Sequence, residues 1–286
     1  MNLEPLEPQT LLADLAFPEG PRWREGWLYF SDMHSNRLMR VNEGGASEEL
    51  ARFPHMSSGI GWTPDGFMLV VSMKDRMLMM QDGLQFAPQA DLSGVAEFHC
   101  NDMVVDSRGR AYVGNFGFDL DGGEKPKATG LIMVTPEGVV RRVAEDVWFP
   151  NGHVITPDGR TLIVAETFAA RLTSFEIAED GSLSNREVFA PLGENVYPDG
   201  ICLDAEGAIW VACATEECLR RVRKGGEVAT TIPLPGRKSF ACMLGGDDRQ
   251  TLFICTAKHS HPEKTRAERA GRIETVRVDV PGAGLP

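Results

Sequence analysis

The stretch TPDGRTLIVAET, Thr156 to Thr167, decides the fold. A Pro-Asp-Gly turn hands over to leucine, isoleucine and valine, residues that suit a buried pleated strand. The same order of turn and strand recurs at REGWLYFSD (24–32), TPDGFMLVVS (63–72), DSRGRAYVGN (106–115), DAEGAIWVAC (204–213) and GDDRQTLFICT (246–256), six copies in all. With Asp65, Asp106, Asp158, Asp204 and Asp247 as markers, the spacings are 41, 52, 46 and 43 residues. That is too long for a repeated hairpin and right for a four-stranded propeller blade.

Between the copies lie further strand candidates, GLIMVTPEG (130–138), VVRRVAED (139–146) and LTSFEIAEDGSLSN (172–185), while helical periodicity is confined to PEKTRAERA (262–270). The expected fold is all-β: a single domain over residues 1–286, a six-bladed β-propeller with four-stranded antiparallel blades around a central channel. TLLAD (10–14) is expected to join RIETVRVDV (272–280) in the closing blade, because closing the ring removes exposed sheet edges.

Composition agrees with a folded, soluble protein: 42% hydrophobic and 24% charged residues in 286. A net charge of −12 with no basic run disfavours nucleic acid and anionic membrane surfaces. The first twenty residues have no basic leader region and carry acids at positions 4, 7 and 14, and no segment approaches 18 apolar residues. A cytoplasmic location is expected. Six cysteines without a C-x-x-C pair look like reduced core residues, although Cys213 and Cys218 are close enough in sequence to meet.

Four segments break the repeat's apolar habit: FPEGPRW with Glu19, FHCNDMVVD with Asn101, WFPNGHVITPDG with Asn151 and VYPDGICLD with Asp199. Three share one grammar: aromatic, proline, an acid or amide, then glycine. FPEGPRW reads as a turn ahead of the first strand. Pro-Asn-Gly and Pro-Asp-Gly are also ordinary turn tripeptides, and two further Pro-Asp-Gly copies, at 64–66 and 157–159, serve as turns. The Glu19, Asn151 and Asp199 copies differ in lying upstream of such turns or strands, at equivalent places in blades 1, 4 and 5. Two carboxylates and an amide converging in a channel repel unless a cation sits between them, and oxygen ligands suit a hard divalent ion. Ca2+ is the first expectation, with Mg2+, Mn2+, Zn2+ or Fe2+ as alternatives.

Taken together, EGPRW, NDMVVDSRGRAYVGNFG, PNGHVITPDGRTLIVAET and YPDGICLDAEGAIWVA resemble the SMP-30/gluconolactonase/luciferin-regenerating-enzyme family over essentially the whole chain. The resemblance implies a six-bladed propeller with one divalent metal held by Glu19, Asn151 and Asp199, and a substrate-contacting asparagine at Asn101. It implies hydrolysis of a sugar lactone, another lactone or an ester. Two departures stand out: His99 occupies a place where sugar-lactone members often have arginine, and Met103 replaces a usual glycine. Losing a guanidinium removes a bidentate anchor for hydroxyl-rich substrates, so apolar lactones should compete. Methionines 56, 73, 77, 79 and 80 would favour such substrates wherever they line the mouth, and otherwise fill core.

In this reading Asp199 is both ligand and general base, and His99 is a candidate substrate contact or proton donor, though packed or solvated histidines are commoner. His259 and His261 have zinc-like spacing without a third ligand. Lys74, Asp75 and Arg76 read as a charged turn that could guard the mouth, and Glu166 either supports the metal shell or faces a neighbouring strand. No Gly-x-Ser-x-Gly elbow, nucleotide loop or His-Glu-x-x-His occurs. Two other readings stay open: a non-catalytic binding propeller, and a metal-free enzyme like strictosidine synthase on the same architecture. The expected partner is a small-molecule lactone or ester, and the chain is expected to be a monomer or homodimer.

Overall fold

The computed structural model describes residues 6–286. Met1 to Pro5, with the Glu4 that counted against a leader, lie outside the described residues. The chain forms six four-stranded antiparallel sheets arranged as consecutive blades. Blade 1 begins with the innermost strand Pro18–Arg24, blade 2 with Ser57–Trp62, blade 3 with Cys100–Val105, blade 4 with Pro150–Ile155, blade 5 with Pro198–Leu203 and blade 6 with Lys238–Gly245. The sixth sheet is completed by Gln9–Leu15, which pairs with Gly271–Arg277, so the two ends of the chain close the ring as expected. A helix at Pro262–Glu268 is the excursion anticipated at 262–270.

One boundary differs from the sequence expectation. FPEGPRW is not a turn before the first strand: Pro18–Arg24 is itself the innermost strand of blade 1, and Gln9–Leu15 precedes it. Two prolines concealed it, since the inner strand's channel side has no ladder partner for Pro18 or Pro21 to deprive.

Hydrophobic packing explains why the strands carry near-continuous apolar runs rather than alternation. Each blade is sandwiched by two neighbours, and six of the apolar clusters each bridge one adjacent pair; Leu69 and Val71 of blade 2, for example, pack on Met103 and Val113 of blade 3. The core therefore lies between blades, leaving the ring's centre to polar groups.

At the same end of every inner strand the antiparallel register slips around the second or third residue. A bulge of this kind re-aims a side chain. The residues concerned are Glu19, Ser58, Asn101, Asn151, Asp199 and Phe240. Glycine follows at blades 4 and 5 because the inner strands nearly touch: a Cβ on Gly152 would stand 2.5 Å from the Ile201 nitrogen, and one on Gly200 2.5 Å from the Ala241 Cβ. At the other end, Leu285 pairs with Ile155 and Ala283 donates to the Leu203 carbonyl, so the C-terminal segment crosses the far ends of blades 4 and 5.

Candidate metal centre and its mouth

The bulged positions put Glu19, Asn101, Asn151 and Asp199 into one buried polar centre, each less than a tenth exposed. Burial raises the Glu19 carboxyl well above its ordinary range, and the Asp199 charge raises it further. Asp199 is pushed up to about 8, by burial first and then by Asp102; the Asn151 amide beside it pulls the other way. The Asn151 amide also donates to the Thr167 hydroxyl (3.3 Å), which donates to the Pro198 carbonyl (2.8 Å), so the residue is anchored to the strand that carries Asp199. Asn101 donates to the Pro150 carbonyl at 3.5 Å.

Below them is a pair that sequence reasoning passed over. The Arg22 guanidinium, 3% exposed, donates to Asp102 Oδ1 at 2.7 Å and to the carbonyls of Met103, Ile60 and Pro21. It ties inner strands 1, 2 and 3 together. Its signal in the sequence was faint: an arginine three residues after Glu19 in FPEGPRW, and an aspartate where the other blades have a small residue after the bulge. His153 was also missed. It is 1% exposed, neither ring nitrogen has a hydrogen-bond partner, and burial drives its pKa down to about 3, so the ring is neutral.

Charge decides what this centre accepts. Glu19, Asp102 and Asp199 supply three carboxyl groups against one guanidinium, Arg22, an excess of two negative charges when all ionise. A divalent cation neutralises that excess, and the oxygen donors of Glu19, Asn151 and Asp199 are the hard ligands such an ion takes. The residues fit the ion.

His99 stands apart from this set, half-buried in the mouth with its ring tilted against Phe98 at 4.0 Å between centroids. Burial and then Lys74 lower its pKa, so it is neutral at pH 7. Lys74 also lowers His34, which lies on the blade 1 side, so this exposed cation overlooks the mouth. Its turn neighbours are engaged elsewhere: Asp75 accepts from Ser72 and pairs with His55, and Arg76 donates to Ser93 and Ala96. Met56 and Met73 belong to an apolar cluster at the mouth with Phe17, Met33 and Phe240, whereas Met77, Met79 and Met80 lie on an outer strand of blade 2.

Other candidates leave the site. Glu166 is fully buried within blade 4, held by Arg171, Arg186, Thr173 and the Trp148 amide, which is the neighbouring-strand role. His259 pairs with Glu268 at 3.4 Å near the helix. Cys213 and Cys218 do meet: they face each other across a hairpin of blade 5 as free thiols, with Glu216 beside them. A surface cavity of about 270 Å³ lies at the opposite end of blades 1 and 2, among Arg24, Trp62 and Phe86.

Residues 17–258 match the family model described as the SMP-30/gluconolactonase/LRE-like region. A pentonolactonase of Haloferax volcanii is 27% identical over 94% of this chain and 92% of its own. A 6-deoxy-6-sulfogluconolactonase of Pseudomonas putida is 27% identical over 94% and 93%. Among solved structures, a calcium-binding regucalcin from Agrobacterium tumefaciens superposes with a TM-score of 0.83 at 22% identity, covering 99% of this chain and 97% of that one.

Proposed function

The chain belongs to the SMP-30/gluconolactonase/LRE-like family, and from that premise we propose that it is a divalent-metal-dependent hydrolase that opens a lactone or a related ester. The observation that carries the reading is the interaction of Glu19 with Asp199 in a buried channel that holds an excess of two negative charges when its three carboxyl groups ionise, the charge a divalent cation balances. The two lactonases matched over nearly their whole length support the lactone as substrate class. Among the described residues no helix is long and apolar enough to cross a membrane.

Glu19, Asn151 and Asp199 would hold the ion, with Ca2+ the first expectation. When bound there, it supplies positive charge opposite the developing carbonyl oxyanion and makes water more acidic. Asp199 keeps one carboxylate oxygen to accept the proton of the attacking water. Asn101, in the same ring but without a negative charge, orients the substrate carbonyl. Asp199 returns the proton to the departing ring oxygen, because His99 is neutral and stands in the mouth. Arg22 holds Asp102 and the bases of three inner strands in place.

The test is elemental analysis of protein purified without added metal, combined with proton release from a panel of sugar, aliphatic and aromatic lactones. One equivalent of a divalent ion, with hydrolysis that disappears in chelator and returns on adding the ion, is the expected result. Metal-free protein that hydrolyses no lactone, even with Ca2+, Mn2+ or Zn2+ supplied, overturns the reading.

A further inference from the structure

The rings around the mouth form one continuous arc. Phe98 packs on His99 (4.0 Å between centroids), His99 on Phe116 (5.9 Å), Phe116 on Phe149 (4.3 Å), Phe149 on Phe168 (5.3 Å) and Phe168 on Tyr197 (5.6 Å). Their places in the chain set them over the polar centre. Phe98 and His99 lead into the strand of Asn101, Phe149 immediately precedes Pro150 and Asn151, and Tyr197 precedes Pro198 and Asp199. Phe116 and Phe168 follow the second strands of blades 3 and 4.

Phe149, the middle ring, is 5% exposed and packs on the fully buried Phe118, but core packing does not account for the other rings. Phe98, His99, Phe116, Phe168 and Tyr197 are each only half-buried, whereas the aromatic residues between blades, such as Tyr112 and Phe253, are fully buried. A contiguous, partly exposed apolar surface beside a polar centre marks a binding site. Phe116 also packs against the buried apolar cluster of Phe17, Met33, Met56, Met73 and Phe240, which continues the apolar lining toward blades 1, 2 and 6.

From this arrangement we infer that the substrate is a lactone or cyclic ester with an aromatic or otherwise flat apolar body rather than a polyhydroxylated sugar. The inference rests on the lactone-hydrolase reading and specifies its substrate class. A sugar lactone carries a hydroxyl on nearly every ring carbon, and each must exchange water for a partner on entering the site. Among the rings only the His99 nitrogens and the Tyr197 hydroxyl can serve, the nearest charged groups are Lys74, Asp119 and Asp121 beside His99, and no guanidinium stands among the rings. A flat apolar ring needs none of these partners. It stacks on Phe116 or Phe168 while its ester group reaches Asn101 and Asp199.

Hydrolysis of dihydrocoumarin and of glucono-δ-lactone by the wild type and by Phe116→Leu and Phe168→Leu tests the inference. Dihydrocoumarin should have the higher kcat/KM. Each substitution should raise its KM by about two- to tenfold, the loss of one aromatic stacking contact, with kcat little changed. The KM for gluconolactone should stay put. Preference for gluconolactone, or equal KM changes for both substrates, overturns the inference. Binding of the non-hydrolysed lactam analogue of dihydrocoumarin, followed by calorimetry, reads the mouth without chemistry. Lactam binding that weakens in both variants supports the inference even where no lactone is hydrolysed, a result that would sink the hydrolase reading alone. No lactam binding to a protein that hydrolyses sugar lactones overturns the inference alone.

Discussion

The carboxyl groups of Glu19 and Asp199 come from inner strands of blades 1 and 5 and interact within one buried channel, where Asp199 raises the pKa of Glu19 and Arg22 offsets it only weakly. Nothing in the packing of the blades requires two acids there. Replacing Asp199 with asparagine separates ligand from base. The amide oxygen stays near the ion, so metal content should fall only partly, while turnover should drop by about 10²- to 10⁴-fold, the usual range for general base catalysis. Near wild-type turnover in Asp199→Asn would remove the base. Asn101→Ala should instead keep its metal and lose kcat/KM.

Stability should depend on pH through the same acids. Asp199 titrates at about 8 in the folded protein against an ordinary 3.8, so its raised value favours folding while it is protonated. That contribution is fully present below about 4 and is lost as the pH climbs through about 8. In chelator, the melting temperature of the wild type relative to Asp199→Asn should therefore fall between pH 5 and 8. Added Ca2+ or Mn2+ should reverse the trend, most strongly at the alkaline end, because it binds the ionised carboxylates of the native state. Melting curves in chelator and in excess ion, indifferent to both, would count against the site.

Arg22 and Asp102 form a buried pair with side chains 3% and 9% exposed. Arg22→Met should destabilise the fold by about 3–5 kcal/mol, since it leaves the buried Asp102 carboxyl beside Glu19 and Asp199 with no opposing charge. Arg22→Met combined with Asp102→Leu should recover much of that loss. Urea unfolding of the two variants makes the comparison, and a double variant no more stable than the single one would show that Arg22 acts through its three carbonyl bonds instead.

Gly152→Ala places a methyl group 2.5 Å from the Ile201 nitrogen and 2.8 Å from the Asp199 carbonyl oxygen, all of it backbone that cannot step aside. The inner strands of blades 4 and 5 must part, at a cost of about 1–3 kcal/mol. Since those strands carry Asn151 and Asp199, affinity for the ion should weaken along with stability. Calorimetric titration with Ca2+ checks it: unchanged affinity would separate ring closure from the ligand geometry.

Cys218 should be the reactive thiol. The Cys213 thiol facing it stabilises its thiolate and lowers its pKa to about 7, while Cys213 itself is fully buried and shifted upward. Alkylation of native protein with iodoacetamide, mapped by mass spectrometry, should label Cys218 first, with a rate that rises through pH 7. Labelling of Cys100 or Cys255 ahead of it would contradict the assignment, as both are buried and shifted upward.

The repeat of Asp-Gly turns and apolar strands was enough to number the blades, place their second strands and close the ring by joining 10–14 to 272–280, within a few residues of the observed strands, because hairpin chemistry and strand composition are local properties. The shared grammar around Glu19, Asn151 and Asp199 was legible for the same reason: each segment repeats within its own few residues. What tertiary structure alone decided is everything that depends on neighbours from other blades. FPEGPRW became an inner strand because closing the ring set its free edge toward the channel, where its two prolines deprive no ladder partner, while its other edge pairs with Trp27–Asp32. Arg22 acquired Asp102, eighty positions away, only when the first and third blades faced one another across the channel. The same closure made an arc of Phe116, Phe149, Phe168 and Tyr197: Phe149 and Tyr197 belong to the shared grammar, but nothing local in the chain says that Phe116 and Phe168 join them. A side chain's partners across a channel are set by the curvature of six packed sheets, and no local spacing in the chain encodes that curvature.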